Sequence, residues 1–211
     1  MGHRACVFHI QLRGTMTAFP IHTLETAPDR SKPLLEALRQ NVGMIPNLAA
    51  GMAASPELLE GFLTLRRIYA TGTFTPAEIQ MLSLVAAYEN DCSWCMAFHT
   101  AMARSEGVTL DHIDALREGR DPGDDYFGPM CELAREMVRR RGAVSSETMN
   151  RFLDAGFSGK QALEVVLGMA FSLMANYAGH LVNPTLDAPL EAYGWQRPNE
   201  PSAELASQSS T

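Results

Sequence analysis

Apolar residues recur along this chain at intervals of three and four, and nowhere in sustained alternation. Leu58, Phe62, Leu65 and Tyr69 follow that spacing, and so do Met130, Leu133, Met137 and Val138. Each set draws one buried stripe on a helix. Two stretches are apolar on nearly every side: Ile79 to Ala87, and Ala162 to about Leu181. A helix without a polar face belongs at the centre of a fold. Runs of strand alternation bounded by hairpin turns are missing. The pattern predicts an all-α fold of roughly eight to ten helices.

The polar punctuation divides the pattern. Ser31-Lys32-Pro33 opens a helix running to about Asn41, and Ser55-Pro56-Glu57 opens another. Proline suits the first turn because its missing N–H would have had no partner there. Asn47 is placed to cap a short Ala- and Met-rich helix. Thr75-Pro76-Ala77-Glu78 and Ser158-Gly159-Lys160-Gln161 both have the capping-box pattern. Gly43, Gly107, Gly119, Gly142 and Gly156 mark helix ends. Asp91 is read as the N-cap of a helix from Cys92 to Glu106, with Thr109 starting a short helix to Glu118 and Ser145 another to Gly156. Pro184, Pro189 and Pro198 interrupt regular structure. The reading gives a peripheral extension over 1–17, one helical domain over 18–197 and a polar, disordered tail over 198–211.

Composition narrows the function. With 211 residues, 46% of them apolar, the chain can bury a full core. A net charge of −7 argues against a nucleic-acid surface. The basic cluster from Arg135 to Arg141 reads as a solvated helix face. No apolar run approaches the ~20 residues of a membrane span, so no membrane partner is expected. Met1 to Phe19 lacks the apolar centre of a signal peptide, and the expected compartment is the cytoplasm. Thiols there are kept reduced, so closely spaced cysteines point to catalysis or metal binding.

Such a pair follows the first very apolar stretch: Cys92-Ser93-Trp94-Cys95-Met96-Ala97-Phe98-His99. Cysteines three apart share a helix face and can form a disulfide with small adjustment. A sulfur near a helix start is favoured as thiolate, and His99, four residues after Cys95, can take its proton. Glu89 lies just before the helix break and is the candidate to orient His99. Redox catalysis is one reading. A zinc site is a second; it lacks a fourth ligand, with only Cys131 and His180 to spare. Inert core cysteines are a third. No cofactor is needed for the first.

At these residues the sequence resembles the carboxymuconolactone decarboxylase superfamily, in its alkyl hydroperoxidase D-like branch. The resemblance runs from roughly Ser31 to Pro198 and is most specific at Cys92, Cys95 and His99. It also takes in Gly107-Val108-Thr109, and Asp187 with Tyr193-Gly194-Trp195. It implies an all-helical fold assembled as trimers or hexamers, and a thiol-dependent peroxidase that reduces organic hydroperoxides. Cys95 would be the peroxidatic cysteine, Cys92 the resolving one, and His99 part of a proton relay. A dithiol protein or small thiol would be the reductant. The family's relay glutamate falls at position 80, which is Gln80 here, so Glu89 is expected to substitute, with Glu78 the second candidate. Two other functions remain: a dithiol carrier or redox-responsive interaction protein with little peroxidase activity, and a decarboxylase-like lyase that would not need the cysteines.

Overall fold

The computed structural model describes residues 19–198. The expected extension over 1–17, with Cys6, His3 and His9, lies outside the described residues, as does nearly all of the polar tail. The described chain contains nine α-helices: α1 Lys32–Val42, α2 Asn47–Met52, α3 Pro56–Tyr69, α4 Pro76–Glu89, α5 Ser93–Ser105, α6 Leu110–Arg117, α7 Phe127–Arg139, α8 Ser146–Asp154 and α9 Gly159–Val182. A 3₁₀ turn, Ala188–Tyr193, closes the described fold. The fold is all-α, as the spacing predicts.

The central element is α4. Every residue from Met81 to Tyr88 is buried, because α5, α6, α7 and α9 all pack around it. Burial on every side is what an all-apolar helix requires. Leu82 and Leu84 are completely covered, so truncating either to alanine would cost about 2–5 kcal/mol. Both capping boxes form: Thr75 Oγ1 accepts from the Glu78 N–H, and Ser158 Oγ from the Gln161 N–H. The two central helices therefore start at fixed residues. Gly119 sits at φ +73° against the Tyr88 ring, where a Cβ would lie 2.1 Å from the ring. Only glycine satisfies both the backbone and the space there.

The longest helix, α9, revises one expectation. By length and hydropathy, 1.5 over its most apolar window, it could cross a membrane, but half of that window is buried within the fold. The polar residues Ser172 and Asn176 are among those buried. Its outward face carries Leu163, Val166, Leu173, Tyr177 and Leu181, exposed by 36–73%. These positions recur at three, seven and four residues and form one continuous apolar stripe.

Candidate functional site

The site is built where α4 hands over to α5. Asn90 ends α4, and Asp91 follows at φ +54°. That left-handed residue turns the chain so that Cys92, not Asp91, becomes the N-cap of α5. The sequence assigned the cap one residue too early because aspartate is a good cap, whereas here it serves the turn, where its short side chain tolerates positive φ. Cys92 Sγ accepts from the Cys95 N–H at 3.4 Å, in the place of a capping oxygen. The turn is fastened from α9, where His180 Nε2 contacts the Asn90 carbonyl oxygen at 2.6 Å.

The two sulfurs lie 2.6 Å apart, so closing a disulfide near 2.05 Å requires little movement. Their surroundings differ. Cys92 is favoured as the thiolate, first by the thiol of Cys95 donating to it, then by the Cys95 amide and the charge of His180. Burial pushes the Cys95 thiol well above its ordinary range, and the neighbouring Cys92 adds to that. When the pair gives up a proton, Cys92 is the sulfur that loses it and Cys95 the one that keeps its own. Gly179 of α9 covers the pair: a Cβ there would sit 2.9 Å from Cys92 Sγ and 4.0 Å from Cys95 Sγ. Asn176 is buried beside both sulfurs, its amide 3.0 Å from that of Asn90. Cys131 lies elsewhere, fully buried in α7, its thiol pushed up to about 12 by burial.

On the far side of Cys95 is a cavity of about 240 Å³. Phe62, Phe98, Phe171 and Trp94 line it, with Arg66, Tyr69, Gln80, Cys95 and His99 as polar members. Cys92 does not reach it. Trp94 stacks on Phe98, ring centroids 5.3 Å apart, and its indole N–H donates to Asp187 at 3.1 Å. The other oxygen of Asp187 accepts from the Asn47 N–H at 3.0 Å. Thus Asn47 is the first residue of α2 and not its cap, and Asp187 ties α2 to the cavity wall. His99 is buried and its pKa falls to about 4, chiefly from loss of water and secondarily from the charge of Arg66. The imidazole is neutral at pH 7. Its Nδ1–H donates to Gln80 Oε1 at 2.8 Å, which leaves the lone pair on Nε2.

Residues 56–125 match the carboxymuconolactone decarboxylase family. Over that segment the chain is similar to this family, and its fold is that of AhpD-like helical proteins. Solved structures share the fold at low identity. A peroxidase-related protein from Silicibacter sp. TM1040 is 20% identical over 82% of this chain and 92% of its own, with a TM-score of 0.68. An alkylhydroperoxidase AhpD-core protein from Ralstonia eutropha JMP134 is 18% identical over 82% and 93%, with a TM-score of 0.72. The debrominase Bmp8, crystallised as a cysteine-to-alanine variant with 2,3,4-tribromopyrrole, is 15% identical over 85% and 95%, with a TM-score of 0.69. No curated protein matches the chain.

Of the residues the resemblance singles out, Cys92 is paired with Cys95, His99 lines the same cavity as Cys95, and Glu89 is left out. The Glu89 carboxylate is almost covered and pairs with Arg139 Nε at 2.7 Å and Arg135 Nε at 3.3 Å. It joins α4 to α7, so the basic cluster is partly an internal ion pair and not merely a solvated face. Glu78 is also occupied, holding Thr75 in its capping box and accepting from the Tyr126 hydroxyl at 2.7 Å. The histidine's partner is Gln80, in the position where the superfamily's relay glutamate is expected. An amide there fixes the tautomer without supplying charge. Ser172, Asn176 and Gly179 interrupt the apolar inward face of α9 at intervals of four and three, which is the sequence signal that would have pointed to them.

Proposed function

We propose that this protein is a thiol-dependent peroxidase that reduces organic hydroperoxides with the Cys92–Cys95 dithiol. The observation that carries the reading is the division of labour in the sulfur pair: Cys95 lines an apolar cavity beside a neutral histidine, and Cys92 backs it at a helix N-terminus. Cys95 passes its proton to Cys92 and attacks the distal peroxide oxygen. The O–O bond breaks, Cys95 becomes a sulfenic acid, and the alkoxide takes a proton from Cys92, with His99 as the shuttle. Cys92, again a thiolate, attacks the Cys95 sulfur. The S–S bond forms, and hydroxide leaves and is protonated to water. An external dithiol then reduces the disulfide by exchange. The reaction calls for a reducing compartment, in keeping with a cytoplasmic protein.

A second substrate class has support from the aromatic lining and from the fold shared with a debrominase. A brominated aromatic ring could draw on the same two electrons: the dithiol becomes a disulfide, the ring carbon gains hydrogen, and bromide and a proton leave. Steady-state assays with dithiothreitol and either cumene hydroperoxide or tribromopyrrole separate the readings. Peroxide consumption that disappears in both Cys92→Ser and Cys95→Ser supports the peroxidase. Bromide release without peroxide consumption favours the halide. A disulfide that cycles with neither substrate consumed identifies a carrier, and turnover independent of the cysteines would identify a lyase.

A further inference from the structure

The cavity has one charged group among its described lining residues. Arg66, in the last turn of α3, is exposed to solvent and lines the cavity that Cys95 and His99 also line. Several cations in the described chain have carboxylates, as Arg30 has Glu57, Arg39 has Glu36 and Arg139 has Glu89; Arg67 and Arg141 have none, but neither lines the cavity. Among the described residues Arg66 has no ion pair and no hydrogen bond from its guanidinium. Tyr69, three residues on and also lining the cavity, is buried, and its hydroxyl has no hydrogen-bond partner among the described residues. A buried donor left without an acceptor is costly and calls for an explanation.

We propose that the cavity binds a small apolar acid, its carboxylate paired with the Arg66 guanidinium at the mouth and its hydrocarbon body lying against Phe62, Phe98 and Phe171. Size fixes the class further. A cavity of 150 Å³ accepts benzene, so about 240 Å³ holds a body of about ten heavy atoms, such as a medium-chain or aryl acid. Arginine suits the head group because its planar fork meets both carboxylate oxygens. The pairing also has a chemical consequence. The charge of Arg66 lowers the basicity of His99, and a carboxylate seated on Arg66 offsets that charge, so the head group makes the histidine a better base for the substrate that carries it. The inference rests on the peroxidase reading only in taking this cavity as the substrate site.

Calorimetric titration of the reduced protein with octanoate and with 1-octanol tests the proposal without any turnover. Octanoate should bind about fivefold more tightly than octanol, the upper end for one exposed charge pair. Arg66→Gln should remove that advantage and leave octanol binding as it was, and Arg66→Lys should keep part of it. Equal affinity of the acid and the alcohol for the wild-type protein overturns the proposal. So does an Arg66→Gln variant that still prefers octanoate, or one that weakens both ligands alike. Because no peroxide enters the titration, a protein inactive as a peroxidase can still pass it, and an active one can fail it.

Discussion

Replacing Gln80 by glutamate restores a carboxylate 2.8 Å from His99 Nδ1, and its effect can be worked out. In the wild-type protein His99 has a pKa near 4 against an ordinary value of 6.5. The unfolded chain therefore binds a proton between those values that the folded chain refuses. Stability from this group is fully present above pH 6.5 and is lost as pH falls toward 4, by about 3 kcal/mol at 1.36 kcal/mol per unit. In Gln80→Glu a carboxylate and an imidazolium would lie about 4 Å apart, worth about 4 kcal/mol at an effective dielectric of 20. That is about three units, enough to lift His99 to about 7. The sign then reverses: the folded pKa exceeds the unfolded one, and the contribution is present at low pH and lost as pH rises through 7. Urea midpoints at pH 5 and pH 7.5 read the difference, and the His99 ring protons titrate directly by NMR. The variant should lose the acid-side slope of the wild type and show an imidazolium at pH 6. Its thiols should also be alkylated faster at that pH. A His99 titration unchanged by Gln80→Glu would refute the assigned hydrogen bond.

Glu89→Gln should cost about 3 kcal/mol in urea unfolding, because Arg135 would lose its nearly buried counter-ion, while the pH profile of thiol alkylation stays put. A hundredfold slower peroxide reaction at full stability would return Glu89 to the relay. Gly179→Ala should destabilise by about 1 kcal/mol, since crowding Cys92 Sγ at 2.9 Å outweighs the gain in helix propensity. It should also slow disulfide closure, and a higher melting temperature would contradict this. The apolar stripe on α9 should seat a second copy of the chain. Sedimentation should give a species heavier than 23.1 kDa, and Leu163→Glu with Leu181→Glu should reduce it to the monomer. A wild-type monomer at micromolar concentration would count against that use of the stripe.

Most of the helical order was legible because it is written in short-range chemistry. Proline at the first turn, the Thr75 and Ser158 capping boxes and the glycine stops each act within a few residues, and α3, α4 and α9 start where they predict. The turn at Asp91 was misread because cap and turn chemistry favour the same residue types, and only the three-dimensional path decides which operates. The 3₁₀ turn at Ala188–Tyr193 was hidden among prolines. At the site, Cys92, Cys95 and His99 could be read because helical spacing alone brings them onto one stripe. The partner of His99 could not, because sequence proximity favours Glu89 whereas helix packing delivers Gln80 from an earlier turn of α4. Arg66 lines the cavity and Asp187 braces its Trp94 wall from elements far away in sequence, and nothing local in the chain marks those placements. Charge on Glu89 was visible; that α7 would place two arginines on it was not, because that depends on how α4 and α7 cross.

In the proposed cycle Cys95 meets the oxidant and Cys92 resolves it. Peptide mass mapping after one equivalent of cumene hydroperoxide tests it directly, on the wild-type protein and on Cys92→Ser with a sulfenic-acid trap. The wild type should give one intramolecular Cys92–Cys95 disulfide, and Cys92→Ser should carry the trapped sulfenic acid on Cys95. A Cys131-linked peptide as the main product, or a Cys92→Ser variant that stays unoxidised while Cys95→Ser is trapped on Cys92, would contradict the account.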